Sequence, residues 1–261
     1  MGHQKAAMQI LTNLFTPESA MLSPAGRMIV AWYSRFDVFL AIMGGFRTAL
    51  PREWFTVFVD FCKTQIASAE DNLQWKLEEA SANLRLLSMD MSMLFAQGSR
   101  GQIAPEEFIA EHESLLKRLH EWKDHMDPDI VNPAYAVTHV PRGQDTDGEE
   151  EESIVDPYEA GILYEPPCFS TTLLNSEWHS IVIMHKCQSS TKDRMKLYGD
   201  LRMHSYKICQ IFEAVERWPG TPKGGLILVQ ACIAISALFL PQDRQHHDWI
   251  RKKFALIETL G

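Results

Sequence analysis

The sequence predicts an all-α protein: a single large multi-helix domain over residues 1–261, carrying one long acidic irregular insertion. Three observations carry that expectation. Apolar residues recur at helical spacing along most of the chain. Proline, glycine and small polar residues stand where helices should start and stop. There is no strand-like alternation of any length and no internal repeat.

Each element follows in order. Residues 6–15 read as a short helix ended before Pro17. Ser23-Pro24 is a helix start, with serine as N-cap and proline in the first helical position. That helix runs to Gly44-Gly45, where left-handed backbone can stop it. Pro51 opens the next, with Trp54, Phe55, Phe58 and Phe61 on adjoining faces, and apolar spacing fades over 68–71. A helix over 72–97 ends at Gly98; its "MDMSML" is Met-rich, which suits an adaptable core or a pocket wall. Ala104-Pro105 opens a helix whose seam is Phe108, His112, Leu115, Leu119, Trp122 and Met126, spaced alternately by four and three. From 127 to about 167 the period vanishes around "GQDTDGEEEES", an acidic run that reads as a solvated, mobile insertion. Helices resume near Thr172, with Trp178, Val182 and His185 on one stripe and Leu201, Ile208, Ile211, Phe212 and Val215 on the next face. Residues 219–225 form a turn. Residues 226–240 are nearly all apolar, which predicts a helix surrounded by others. The last helix starts near Asp243 and presents Ile250, Phe254 and Ile257.

Composition excludes several function classes. Net charge is −9, and the longest basic run is Arg251-Lys252-Lys253. A nucleic-acid surface must neutralise phosphates with clustered cations, so this chain should not hold DNA or RNA by itself. The five cysteines are odd in number and form no CxxC, which points to reduced, mostly buried thiols in a cytosolic or nuclear protein. The start of the chain has no signal-peptide pattern, and Ala6 stands where myristoylation wants Ser or Thr. The apolar run 226–240 carries Gln230 and Ser236 and falls short of the roughly 20 residues of a membrane span, so a soluble chain is expected.

Motifs for chemistry are weak. "HEWKDH" places His120 and His125 five apart, about 140° around a helix, where a zinc pair needs four. His246 and His247 diverge by about 100°, so at most one enters a given site, and Asp243 reads as a helix cap. His179 and His185 read as buried, hydrogen-bonded histidines. No GxSxG is present, and "GTPKGGL" lacks the spacing of a phosphate loop. No catalytic residue and no metal site are expected, so the chain is not read as an enzyme.

Ionisable residues in apolar surroundings remain. In "IVAWYSRFDVFLAIMGG" Arg35 and Asp37 lie about 200° apart around the helix, so they cannot pair with each other. A buried charge needs a partner. The expected ion pair is Asp37 with Arg52 or Arg47, and Arg35 should find a carboxylate elsewhere.

"WYSRFDV" (32–38), "MGG" (43–45) and "PREWF" (51–55), with the later "KICQIFEAVERWP" and "LPQDRQHHDWIRKKFALIETLG", together resemble the regulatory region of fungal binuclear-zinc-cluster (Zn2Cys6) transcription factors. The resemblance implies an all-helical domain controlling transcription in the nucleus. It implies a six-cysteine zinc cluster for DNA binding in another part of the protein. No C-x2-C-x6-C occurs here, so the chain looks like the regulatory region without that module, holding no cofactor of its own and meeting DNA only through the missing part. The implied partners are a small-molecule effector, other transcription proteins and a second copy in a homodimer. An effector pocket is expected between Trp32, Arg35 and Phe36, the Trp54 helix, and the helix carrying Trp178 and His185, where aromatic walls meet polar groups. A helical interaction scaffold without ligand and an all-helical enzyme are the alternative readings.

Overall fold

The computed structural model describes residues 2–139, 153–188 and 193–260. Eleven α-helices and one 3-10 turn form among them, with no pairing of extended backbone beyond an isolated bridge between Ala136 and Tyr164. The protein is all-α. The centre of the acidic insertion, 140–152, lies outside the described residues. No described helix is long and apolar enough to cross a membrane. Six helices, up to Ile130, form one compact unit; the segment from Val131 and five further helices form another.

The first unit contains α1 (Gly2–Leu14), α2 (Pro17–Met21), α3 (Pro24–Gly44), α4 (Arg52–Ser68), α5 (Leu73–Ser99) and α6 (Pro105–Asp124). The ends of α3 lie where the sequence placed them. The Ser23 hydroxyl accepts the Gly26 N–H at 3.0 Å, and Gly45 closes the helix at φ 63°. The short α2 is an addition to the sequence reading, which took Pro17 only as a stop. Pro17 in fact begins a helix capped by Thr16. The Thr16 hydroxyl accepts the Ser19 N–H at 3.1 Å, and the Ser19 hydroxyl accepts the Thr16 N–H at 2.8 Å. α2 then meets α3 so closely that a Cβ on Gly26 would stand 2.4 Å from the Ala20 carbonyl oxygen.

α5 packs against α3, α4 and α6. Leu84, Met89, Met91, Leu94 and Phe95 on it are buried, so the Met-rich stretch is core. The α6 seam buries His112, Leu115 and Leu119, flanked by half-buried Phe108 and Trp122. Trp122 Nε1 donates to the Ala80 carbonyl at 3.1 Å.

The second unit contains α7 (Phe169–Lys186), α8 (Arg194–Arg217), α9 (Gly225–Leu228), α10 (Gln230–Ala237) and α11 (Arg244–Leu260). α7, α8 and α10 pack on one another, with the predicted stripes of α7 and α8 buried throughout. Val137 and Glu165 bond to Leu163 and Tyr135 at 2.8 Å each, fastening the segment before α7 above a cluster of Leu163, Phe169, Ile211, Ala214 and Val215.

Two expectations are corrected in this unit. The apolar run 226–240 is not one surrounded helix. It breaks at Val229 into α9 and α10, and Leu238 is 71% exposed. A single turn such as α9 cannot bury every side chain it carries, however apolar. On α11 the buried stripe is His246, Trp249, Lys253 and Ile257, with Ile250 and Phe254 half-buried beside it. Lys253 turns inward because carboxylates wait there. Cys62, Cys168, Cys209 and Cys232 are buried, Cys187 is exposed, and all five are free thiols. Burial pushes the Cys62 and Cys209 thiols up to about 12.

Candidate functional site

The residues expected to line an effector pocket fall in both units. In the first, Trp32 is 67% and Phe36 44% exposed, and their rings stack with centroids 6.3 Å apart. They form part of an outward stripe on α3 with Met28, Ile29 and Met43, not a pocket wall. A helix apolar all round can still face water on one side when its partners cover only part of it. Arg35 is half-buried. Trp54 is buried and borders a space of only 10 Å³ with Ser34, Phe55, Phe58 and Arg85. That is at the lower limit for one water. In the second unit Trp178 and His185 are buried on α7. Trp178 packs edge-on against His179 and His204, whose Nδ1 atoms lie 2.8 Å apart.

The predicted Asp37–Arg52 pair does not form. Asp37 is fully buried and accepts three hydrogen bonds: from Gln4 Nε2 at 2.5 Å and from the Ala49 and Leu50 N–H groups at 2.8 Å each. Tyr33 supports the same contact by donating to the Gln4 carbonyl at 2.8 Å. Neutral donors replace the expected guanidinium, because the chain returning after Gly45 presents two otherwise unsatisfied amides to α3. Burial pushes the Asp37 carboxyl above its usual range, against the pull of these three bonds. Arg52 pairs instead with Asp90 on α5, which Arg118 also reaches at 3.0 Å.

The second unit carries a groove of 560 Å³ along the outer face of α8. Gly199, Arg202, Met203, Tyr206, Lys207 and Gln210 line one side, brought together by helical spacing. Residues 154–159 form the other side. Gln210 holds that segment by donating to the Asp156 carbonyl at 2.8 Å and to Glu159; Lys207 reaches Glu159 at 3.2 Å. The Gln210 amide, then Lys207, keep Glu159 below the usual carboxylate range.

The Tyr206 hydroxyl stands 2.8 Å from His246 Nε2, and His246 Nδ1 stands 2.7 Å from Asp243 Oδ1. The carboxylate fixes the proton on Nδ1, so Nε2 accepts from the phenol. Burial pushes the Tyr206 phenol up, and the chain Asp243–His246–Tyr206 orients its hydroxyl. Asp243 is held low, first by the His246 backbone N–H and then by its ring. Arg202 is exposed and makes no hydrogen bond or ion pair with another described residue. A free guanidinium, an oriented hydroxyl and the apolar Ile154, Val155 and Met203 can receive a small amphipathic molecule with an anionic end.

Beneath the groove, Glu213 accepts from Trp249 Nε1 and from the Ser153 hydroxyl, and lies 3.4 Å from both Lys253 and Arg217. Lys253 reaches Glu216 at 2.7 Å.

Sequence reasoning missed the groove. Asp243 and His246 were weighed as a cap and a failed metal pair, and their three-residue spacing was the available signal for a local bond. Tyr206, 40 residues from His246, has no local signature. No protein family, curated protein or solved structure matches the chain.

Proposed function

We propose that the chain is the regulatory region of a fungal-type zinc-cluster transcription factor, and that the groove along α8 receives its small-molecule effector. The protein works in the nucleus, contacts DNA through a separate zinc-cluster module and carries no catalysis in this region. The groove carries the effector reading, because its 560 Å³ bring together an exposed guanidinium, an oriented hydroxyl and apolar side chains. The family reading is supported by where the resembling segments fall. "WYSRFDV" holds Asp37, "KICQIFEAVERWP" holds Glu213, and the C-terminal segment holds Trp249 and Lys253. Those segments supply the buried polar fastenings of their units, which a shared fold would have to keep.

The test joins the chain to an unrelated DNA-binding domain and reads a reporter gene, alongside thermal shift against a library of small carboxylates and organic phosphates. The expected result is a reporter response that depends on the chain, and a stabilising compound whose effect is lost in Arg202→Ala. A reporter indifferent to the chain, with no stabilising compound, overturns the reading.

A second reading, a helical scaffold for protein partners or a second copy, rests on the exposed Met28, Ile29, Trp32, Phe36 and Met43 of α3. In that case Trp32→Ala with Phe36→Ala abolishes the reporter response and Arg202→Ala leaves it intact.

A further inference from the structure

Ser153 begins the described segment that forms the outer side of the groove. Its hydroxyl lies 2.6 Å from Glu213 Oε2 and 2.7 Å from the Val155 carbonyl, its single proton serving both, and it accepts the Val155 N–H at 3.2 Å. Glu213 is fully buried. In the sequence four glutamates, 149–152, precede Ser153, and Asp156 follows it by three residues. Asp156 is exposed, as a recognition residue has to be. A kinase whose peptide cleft is lined by Lys and Arg reads such carboxylates by charge-assisted hydrogen bonds.

We propose that Ser153 is a phosphorylation site for an acid-directed protein kinase, and that its phosphate releases the 153–159 segment from α8. The Ser153 oxygen attacks the γ-phosphorus of a nucleoside triphosphate held by the kinase. The new O–P bond forms as the bond to the β,γ-bridging oxygen breaks; the diphosphate leaves, and the hydroxyl proton passes to the kinase's base. A donor is thereby replaced by a group of charge about −2. The cations nearby cannot absorb it, because Lys253 and Arg217 already face Glu213 and Glu216. Two anions at hydrogen-bond distance in a buried setting repel, and the segment moves out. The hydroxyl also has to leave Glu213 before a kinase can reach it, so phosphorylation captures the lifted state and shifts the population toward it. Lifting removes Ile154, Val155, Asp156 and Glu159 from the groove and undoes the contacts of Glu159 with Lys207 and Gln210.

The test treats the full chain with ATP and a recombinant acid-directed serine kinase, maps the phosphate by mass spectrometry and follows amide exchange. The phosphate is expected on Ser153 and absent in Ser153→Ala. Asp156→Asn keeps the acceptor that Tyr158 N–H uses at 2.9 Å, yet slows phosphorylation about tenfold through loss of one charge-assisted contact to the kinase. The amides of residues 154–156, 158 and 159 exchange faster in the phosphorylated chain than in Ser153→Ala, which loses only the hydroxyl. Phosphate confined to other residues, such as Thr146 with its own acid three positions on, overturns the site. Phosphate on Ser153 with exchange no faster than in Ser153→Ala overturns the release.

Discussion

Glu213 of α8 and Lys253 of α11 face each other across 3.4 Å with side chains 1% and 3% exposed. Each has further partners: Trp249, Ser153 and Arg217 for the acid, Glu216 for the base. The set neutralises itself inside the second unit, and removing Glu213 or Lys253 leaves unbalanced charge where little water reaches.

Lys253→Met therefore destabilises the second unit by about 3–5 kcal/mol, the usual cost of stranding a buried ion. Urea unfolding at pH 7 measures it. Adding Glu213→Gln to that variant costs less than the sum of the two single changes, because the stranded charge goes with it.

Asp37 gives a dependence on pH. Its carboxyl titrates above the ordinary 3.8 in the folded chain, so between 3.8 and its folded value the native state holds more protons than the unfolded one. Stability contributed by this group therefore falls as pH rises through that window and levels off above it. Asp37→Asn removes this dependence. It also turns an acceptor into a donor facing one of the amides, costing about 1–3 kcal/mol at pH 5. Unfolding curves at pH 4, 5 and 7 for both proteins check the two effects.

Arg52→Ala changes stability by no more than about 1 kcal/mol, since its pair with Asp90 is half in water and Asp90 keeps Arg118. Had Arg52 been the partner of Asp37, the same change would strand a buried carboxylate at about 3–5 kcal/mol. One denaturation series separates the outcomes.

Gly26→Ala inverts a familiar rule. Inside a helix this change normally stabilises by about 0.5–1 kcal/mol. Here the new methyl meets the Ala20 carbonyl oxygen at 2.4 Å, so α2 must shift, at a cost of about 1–3 kcal/mol in thermal or urea unfolding.

The limits of α3 and the starts of α4 and α6 were legible because Ser23, Gly45, Pro51 and Pro105 act through their own backbone geometry, which sequence carries locally. α2 was not, since Pro17 serves equally as a stop and as a first helical residue, and the Thr16–Ser19 exchange decided it. The need for a partner at Asp37 was legible, its identity was not: two donors are main-chain amides, which look the same at every residue. Trp32 and Phe36 were placed inward by composition alone, and only the packing of neighbouring helices tells which side of an apolar helix stays wet. The groove rests on contacts such as Tyr206 with His246 and Gln210 with Asp156, made by residues far apart in the chain, for which spacing holds no record.

The buried charges under the groove also shape how this protein can drift over generations. An apolar pair at 213 and 253, with 216 and 217 made neutral, could match or exceed the present stability. A path that alters Glu213 or Lys253 alone passes through a variant with unbalanced charge in the interior. Positions such as 52 can wander freely, while these two are locked together by the valley that surrounds them.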